Sequence, residues 1–371
     1  MQASLSIKLL LRVCSTQTMP VISQEYLLMT TSTTNRIILD RRSFLATLAA
    51  SAGAIAISNP AIARMTKLMG GSSILSWDTV HKAGFHAMVD RNTGGNALVA
   101  TFGKQTLLVD TKFAHLGGAL FSDAQQFAGE QDRFDLTLIN THHHGDHTGG
   151  NALIVPHANA YAHKNAVKRI KTQLDTYKQS AKSGPAQIKR NKGSDEMLKL
   201  AIQAADASES WTRADISPQN RVPDEGATIN LGESTVAMHH FGRGHTDNDL
   251  VVHFPDQNVL HTGDLVFAGL HPFFDPNARP TAIGWTKSLR GILELCDDES
   301  IVIPGHGPVG NKQTVQAQLD YMNQLIEHVQ ADIDAGVSKE ETAKNTWDFM
   351  EGLGFESIRE RAINTVYDEL S

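Results

Sequence analysis

A chain of 371 residues with 41% apolar side chains can bury one large core or two small ones. Its formal charge of −7 excludes the global basic field on which nucleic-acid binders rely. Two cysteines exclude a disulfide framework and a thiolate-rich structural metal site, whereas 17 histidines point to a metal held by nitrogen and oxygen.

The first sixty or so residues read as an address rather than a fold. The stretch "DRRSFLATLAASAGAIAISNPAIAR" has a charged head at Arg41 and Arg42, an apolar run from Phe44 to Ser58, and a small-x-small cleavage signal at Ala61-Ile62-Ala63. The arginine pair followed by Ser43, Phe44 and Leu45 resembles the twin-arginine export motif. It departs from that motif at Asp40, where Ser or Thr is usual, and at Ala46, where Lys is common. The apolar run is shorter than the roughly 18 residues a spanning helix needs. Residues 1–63 are therefore expected to be an N-terminal extension and signal peptide, handled transiently by the twin-arginine export machinery. The mature protein is then periplasmic or secreted, with no stable membrane insertion. The leader before the arginine pair is long for such a signal, which makes Met19 and Met29 alternative starts.

Beyond the leader, "GNALVATFGKQTLLVDT" at 95–111 predicts two strands around a Gly103-Lys104 turn, and "DLTLIN" at 135–140 a short buried strand. "NALIVPHANAYAH" reads as a further strand pair. Residues 164–215 turn helical, with breaks at Gly184-Pro185 and Gly193 and with Lys and Arg concentrated in the first half. This insertion is either a solvated helical face or a lid that attracts anionic substrates. Strands return between 228 and 262 and at "SIVIPGHG", 300–307. From 313 the pattern is helical: a long helix ending near Gly336, a Ser338–Glu341 capping box, and a last helix over about 357–370. Strands with helices before, between and after them predict an α/β layered fold. The expected domains are 64–312, carrying the 164–215 insertion, and a C-terminal helical extension over 313–371.

The strand at 135–140 runs into "THHHGDHTGG", Thr141 to Gly150. His142 and His144 are two apart, so on an extended loop both rings reach one ion. Asp146 and His147 follow and reach a second ion, while His143 must point elsewhere. Gly145 is expected to allow a sharp turn, and Gly149-Gly150 close packing of the next segment. A catalytic zinc usually takes three protein ligands and a water, so further ligands are required. "GRGHTDND" offers His245, "LHTGDLVF" offers Asp264 after an apolar strand, and "IPGHGP" offers His306 between two glycines.

These four segments, in this order, resemble the metallo-β-lactamase superfamily over roughly residues 90–310. The resemblance implies a four-layer αβ/βα sandwich with metals at one edge between two sheets. It assigns His142, His144 and His245 to a first metal, Asp146, His147 and His306 to a second, and Asp264 to a bridge between them. An all-nitrogen-and-oxygen set suits two Zn²⁺ and tolerates Fe or Mn. Asp at the bridge matches the glyoxalase II-like and lactonase-like branches. The true β-lactamases often carry Cys there and many have Lys three residues on, where this chain has Phe267.

Two adjacent cations turn a shared water into hydroxide near neutral pH and polarise a carbonyl oxygen, so no protein nucleophile is needed. Asp146 is placed to orient that hydroxide and to take its proton. The expected reaction is hydrolysis of an ester-like, thioester, lactone or amide bond in a small-molecule substrate. Three alternatives stay open: a β-lactamase, a persulfide dioxygenase holding one iron on two His and one Asp, and a non-catalytic metal-binding protein. "VFAGLHPFFDPNARP", 266–280, suggests a pocket wall with Phe267, His271 and Phe273, or packing against a following helix. His143 and Asp247 are expected to support ligands rather than ligate. The remaining histidines, His163 and His240 among them, are read as ordinary.

Overall fold

The structure is a computed structural model that describes residues 73–80, Lys82, 84–88, 94–129 and 134–371, together with two short segments nearer the N-terminus. The chain divides into two compact units, Met1–Gly71 and Ser72–Ser371. In the first, the described residues are Leu28–Met29 and Ile37–Ile38, two strands paired antiparallel. The arginine head, apolar run and cleavage signal lie outside the described residues. Among the described residues, no helix is long and apolar enough to cross a membrane.

The second unit is built on two sheets. The first has seven strands in sequence order: β1 (Asp78–Thr79), β2 (Phe85–Met88), β3 (Ala97–Phe102), β4 (Gln105–Val109), β5 (Asp135–Asn140), β6 (Asn159–His163) and β7 (Asn220–Val222). It is antiparallel from β1 to β4 and parallel from β4 to β7. The second has five: β8 (Ala227–Leu231), β9 (Ser234–His239), β10 (Val251–Phe254), β11 (Val259–Phe267) and β12 (Ile301–His306). It is antiparallel except for the β11–β12 pair.

Alternation along the strands produces the layers. Leu98, Ala100, Leu107 and Val109 face Val236, Met238, Val252 and Phe254 of the other sheet in one core. Ala97, Val99, Leu108, Leu136 and Leu138 point the other way, onto helices α1 (Gly117–Phe127), α4 (Lys164–Ile170), α5 (Leu174–Arg190) and α6 (Asp195–Ala207). Val251, Leu260 and Val302 face α7 (Ala282–Leu295), α8 (Lys312–Asp334) and α10 (Arg359–Leu370). Helix, sheet, sheet, helix is the four-layer αβ/βα sandwich the sequence led us to expect. Two short helices, α2 (Gly145–Thr148) and α3 (Asn151–Ile154), sit on the loop after β5, and α9 (Lys339–Thr342) follows α8.

Two local expectations fail for physical reasons. "NALIVPHANAYAH" is not a strand pair: α3 and a 3-10 turn at Val155–His157 precede one strand, β6. Asn151 drives this, because its side chain is held in the interior by Thr111, Asn140 and the Ile216 carbonyl. The helix α5 runs through Gly184-Pro185 without ending. A Cβ at Gly184 would overlap His115, so the glycine serves packing, and buried Tyr177, Ala181 and Ile188 outweigh the hydrogen bond that Pro185 cannot donate. The expected cap after Gly336 is present: Ser338 accepts from the Glu341 amide and opens a helix, which runs for a single turn.

Candidate metal centre

Parallel strands deliver their C-terminal ends to one edge. There β4 ends at Asp110, β5 at the His142–His147 loop and β12 at His306. Asp264 sits in β11, where the register with β12 slips between Gly263 and Phe267. His245 lies in the loop joining β9 to β10. All seven expected residues are thus brought together at this edge, from both sheets. A Cβ at Gly305 would overlap Asp264 Oδ1, and one at Gly150 would collide with the Thr111 carbonyl, so these glycines are required for close approach. Gly145 is different: it opens α2 in ordinary helical conformation with room for a Cβ, and no sharp turn depends on it.

His142, His144, His245 and Asp264 form one group. His142 Nε2 and His245 Nε2 each lie 3.0 Å from His144 Nδ1. Asp264 Oδ2 is 3.6 Å from His142 Nε2 and 3.4 Å from His245 Nε2. Ligand atoms about 2.0–2.1 Å from a tetrahedral zinc are about 3.3 Å apart. Asp146, His147 and His306 form the second group, with Asp146 Oδ2 3.4 Å from His306 Nε2 and 3.8 Å from His147 Nε2. Asp264 reaches it as well, with Oδ1 3.0 Å from His147 Nε2 and Oδ2 3.4 Å from His306 Nε2.

The outer hydrogen bonds decide what these atoms are for. Asp110 accepts from the Thr141 amide at 2.8 Å and from its hydroxyl at 2.7 Å, so that hydroxyl can only accept from His142 Nδ1, at 3.0 Å. His245 Nδ1 donates to the Phe273 carbonyl at 2.5 Å, His144 Nε2 to Asp275 at 2.9 Å, and His147 Nδ1 to Asp110 at 2.7 Å. In its neutral form each ring therefore spends its one N–H outward, a tautomer inferred from the network. Three nitrogen lone pairs then face one another in the first group, an arrangement a cation satisfies and nothing else on hand does. His147 Nε2 and Asp264 Oδ1 are buried 3.0 Å apart, outside good hydrogen-bond geometry with each other and with no hydrogen bond to any other group, so a cation beside them would satisfy both. The residues present fit a pair of metal ions.

Charge follows the same division. Burial holds His142 well below its ordinary pKa and takes His245 down to about 3, so both are neutral, as ligation requires. In the metal-free protein, burial opposes protonation of His147 and His306. The Asp264 and Asp146 carboxylates overcome it, raising His147 well above its usual value and His306 to about 9. Asp264 goes the opposite way: burial would raise it, but His147, His306 and His142 hold it well below the carboxylate range. A metal entering the second group must displace these protons. Its affinity is therefore expected to rise with pH up to about 9, with proton release at pH 7. Zinc titration calorimetry in buffers of different ionisation enthalpy measures that release; zero protons would contradict the assignment.

Several functional neighbours were missed. Asp110 and Asp275 are the carboxylates that orient ligand rings, although only His143 and Asp247 were expected near the ligands. His143 does support the site: its Nδ1 meets Asn248 at 3.2 Å and its Nε2 lies 3.4 Å from Asp275. Asp247 instead takes Arg169 in a two-pronged pair at 3.0 and 2.7 Å and touches no ligand ring. That clamp, Gln173 donating to the His143 carbonyl at 2.6 Å, and Tyr177 against Thr148 make the inner side of the 164–215 insertion a buttress for the histidine loop. Phe267 stacks on His306 with centroids 5.1 Å apart, and Phe273 meets His144 edge-on at 5.8 Å. His271 is not a pocket wall. It is fully buried, with Nδ1 on the Tyr321 hydroxyl at 2.9 Å and Nε2 on Glu356 at 3.1 Å. His163 and His240, set aside by sequence, meet Asp224, but their rings stack face to face at 4.2 Å and Lys164 occupies the carboxylate. Cys296 is buried and its thiol pKa is raised by that burial, which excludes it as a nucleophile.

A two-sheet α/β sandwich with a His- and Asp-lined double centre at its strand ends defines a metallo-hydrolase-type fold. The profile of the Metallo-beta-lactamase superfamily matches residues 91–306, more than half of the chain, and the chain belongs to that superfamily. Among curated relatives, the metallo-beta-lactamase type 2 of Bacillus cereus is 28% identical over 94 residues, 25% of this chain and 37% of that enzyme. The one from Bacteroides fragilis is 26% identical over 110 residues, 29% of this chain and 44% of its own length. The chain thus spans well under two thirds of these relatives. The sec-alkylsulfatase Pisa1 from Pseudomonas sp. superposes with a TM-score of 0.55 at 13% identity, over 78% of this chain and 49% of that one, a likeness of fold.

Proposed function

We propose that this protein is an exported, metal-dependent hydrolase with a dinuclear centre, most simply two Zn²⁺, that cleaves an ester-like, thioester, lactone or amide bond. The observation that carries it is Asp264, whose two oxygens reach both groups of ligand atoms, with His147 Nε2 and Asp264 Oδ1 buried and hydrogen-bonded to no other group. In this reading His142, His144 and His245 hold the first ion, Asp146, His147 and His306 the second, and Asp264 both. A bound zinc pair supplies a water acidic enough to ionise near neutral pH and polarises the acyl oxygen.

The chain's own residues do the rest. His142, His147 and His245 are sealed from solvent, whereas His144, Asp146 and His306 are 17, 24 and 13% exposed, so substrate enters on their side. Asp146 stays ionised, because His147 and His306 outweigh the effect of its burial. It is therefore suited to orienting the attacking water and passing on a proton, rather than to storing one. Phe267 and Phe273 exclude water from the flanks. Export rests on the Arg41-Arg42 leader and is tested by fractionation of cells making the full chain.

The decisive assay is a panel of esters, thioesters, lactones and β-lactams on zinc-loaded protein. Turnover of at least one class, abolished by chelation and restored by metal, is expected. No turnover across the panel at full metal loading would overturn the reading. Naming the element bound separates zinc hydrolysis from single-iron dioxygenase chemistry.

A further inference from the structure

The open side of the centre is bounded by a segment the reaction above does not use, the turn and helix start at 354–361. The Phe355 ring lies 5.6 Å from the His306 ring and 6.5 Å from Phe267. It is 40% exposed, and its backbone is left-handed, with φ 62° and ψ 33°. A bulky side chain in that region is strained, and an exposed aromatic ring gains nothing from the core.

The strain is held in place by a built support. Gly354 bridges to Leu270, its amide donating to the Gly269 carbonyl at 3.0 Å and its own carbonyl accepting from the His271 amide at 2.9 Å. The buried His271 grips Glu356, which Arg359 holds from the other side at 2.6 Å. Further along, the Arg361 guanidinium lies 5.4 Å over the Phe273 ring, itself against His144. Arg361 is exposed, and among the described residues no carboxylate pairs with it. Phe355 and Arg361 are six positions apart across a 3-10 turn and a helix start, a backbone rise of roughly 10 Å.

We propose that Phe355 and Arg361 are specificity-determining residues: Phe355 covers an apolar group next to the bond that is cleaved, and Arg361 receives an anionic group about 10 Å further on. The substrate class is then an elongated amphipathic anion, such as a long-chain ester, thioester or lactone ending in a carboxylate. This rests on the hydrolase reading above. Phe355 stands beside the exposed ligand His306, and Arg361 stands over the Phe273 ring that meets the exposed ligand His144.

Product-like carboxylates test it by calorimetry on the zinc-loaded chain. Nonanoate is expected to bind about tenfold tighter than propionate, by burial of its chain against Phe355. Azelate, with a second carboxylate at the far end, should gain roughly another tenfold that fades in high salt. Phe355→Ala should collapse the nonanoate-to-propionate ratio to near one, Phe355→Leu should keep most of it, and Arg361→Gln should erase the azelate gain alone. Metal content measured beside each variant separates recognition from a structural role, and Phe355→Leu with Arg361→Gln carry the test if the alanine variant fails to fold. Ratios near one in the wild type, or ratios the variants leave unmoved, would overturn the proposal. Hydrolysis with flat ratios sinks this inference alone. Graded ratios without any hydrolysis sink the hydrolase reading and leave the binding assignment standing.

Discussion

Replacing Asp264 with alanine is expected to lower kcat/KM by at least about three orders of magnitude, about 4 kcal/mol of transition-state stabilisation, while the protein stays folded. The carboxylate lies between the two ligand groups, within 3.6 Å of His142, His147, His245 and His306. In the proposed reading its loss would remove the one negative charge that both ions would share, and it leaves His142, His147, His245 and His306 without the carboxylate that lies among them. The fold itself does not hinge on it, because the hydrophobic layers around β11 are formed by Leu260, Leu265 and Val266. Asp264→Asn keeps the volume and removes only the charge, so it should lose metal almost as fully. Circular dichroism and metal content beside the kinetics test both points. Wild-type-like turnover in either variant would refute the bridging role.

The second large effect is expected at Asp110, a residue that ligates nothing in this reading. It is fully buried in a left-handed conformation, φ 61°, where β4 ends. Its two oxygens accept from the Thr141 amide, the Thr141 hydroxyl and His147 Nδ1. One carboxylate thus fixes the first residue of the histidine loop and the tautomer of a ligand, and through Thr141 it also fixes His142. Asp110→Ala leaves a buried amide and a ring N–H without partners, at about 1–3 kcal/mol each. Metal affinity should fall about 10–100-fold, the usual cost of losing the group that orients a ligating imidazole. Asp110→Asn retains the volume yet cannot accept at every contact, so it should fall between. Zinc titrations and urea unfolding of apo and loaded protein measure the two effects separately. A variant with wild-type zinc affinity would show that the orientation of His147 does not depend on Asp110.

The contrast between Asp264 and Asp110 explains what could be read from the chain. His142, His144, Asp146 and His147 declare themselves because ligands on one loop have fixed short spacings. His306 closes an apolar strand, Asp264 lies within one and His245 in the loop after one, and each is legible because it stands beside a glycine. Asp110 closes an equally apolar strand, "LLVD", but nothing local distinguishes an Asp that orients a ligand from one that ends a strand. Asp275 is harder still, lying 131 positions from the His144 ring it fixes. Its role exists only once the 266–280 segment has folded over the centre. Phe355 combines both obstacles, since neither its left-handed backbone nor its approach to His306 leaves a pattern in "GLGFES".

The layered fold was readable for a related reason. β3 to β5 are buried on both faces, so each reads locally as a short, nearly continuous apolar run. The errors fell where tertiary contacts overrode local preference, at Asn151 and at Gly184-Pro185. The sealed imidazole of His271 belongs with them, because its burial depends on Tyr321 and Glu356 from distant helices.

The most direct test is elemental analysis of the purified, folded chain after metal loading and desalting. Two transition-metal equivalents per chain are expected, with a marked loss when Asp264 is replaced. Folded protein that carries no transition metal, and takes up none on soaking, would contradict the account at its root.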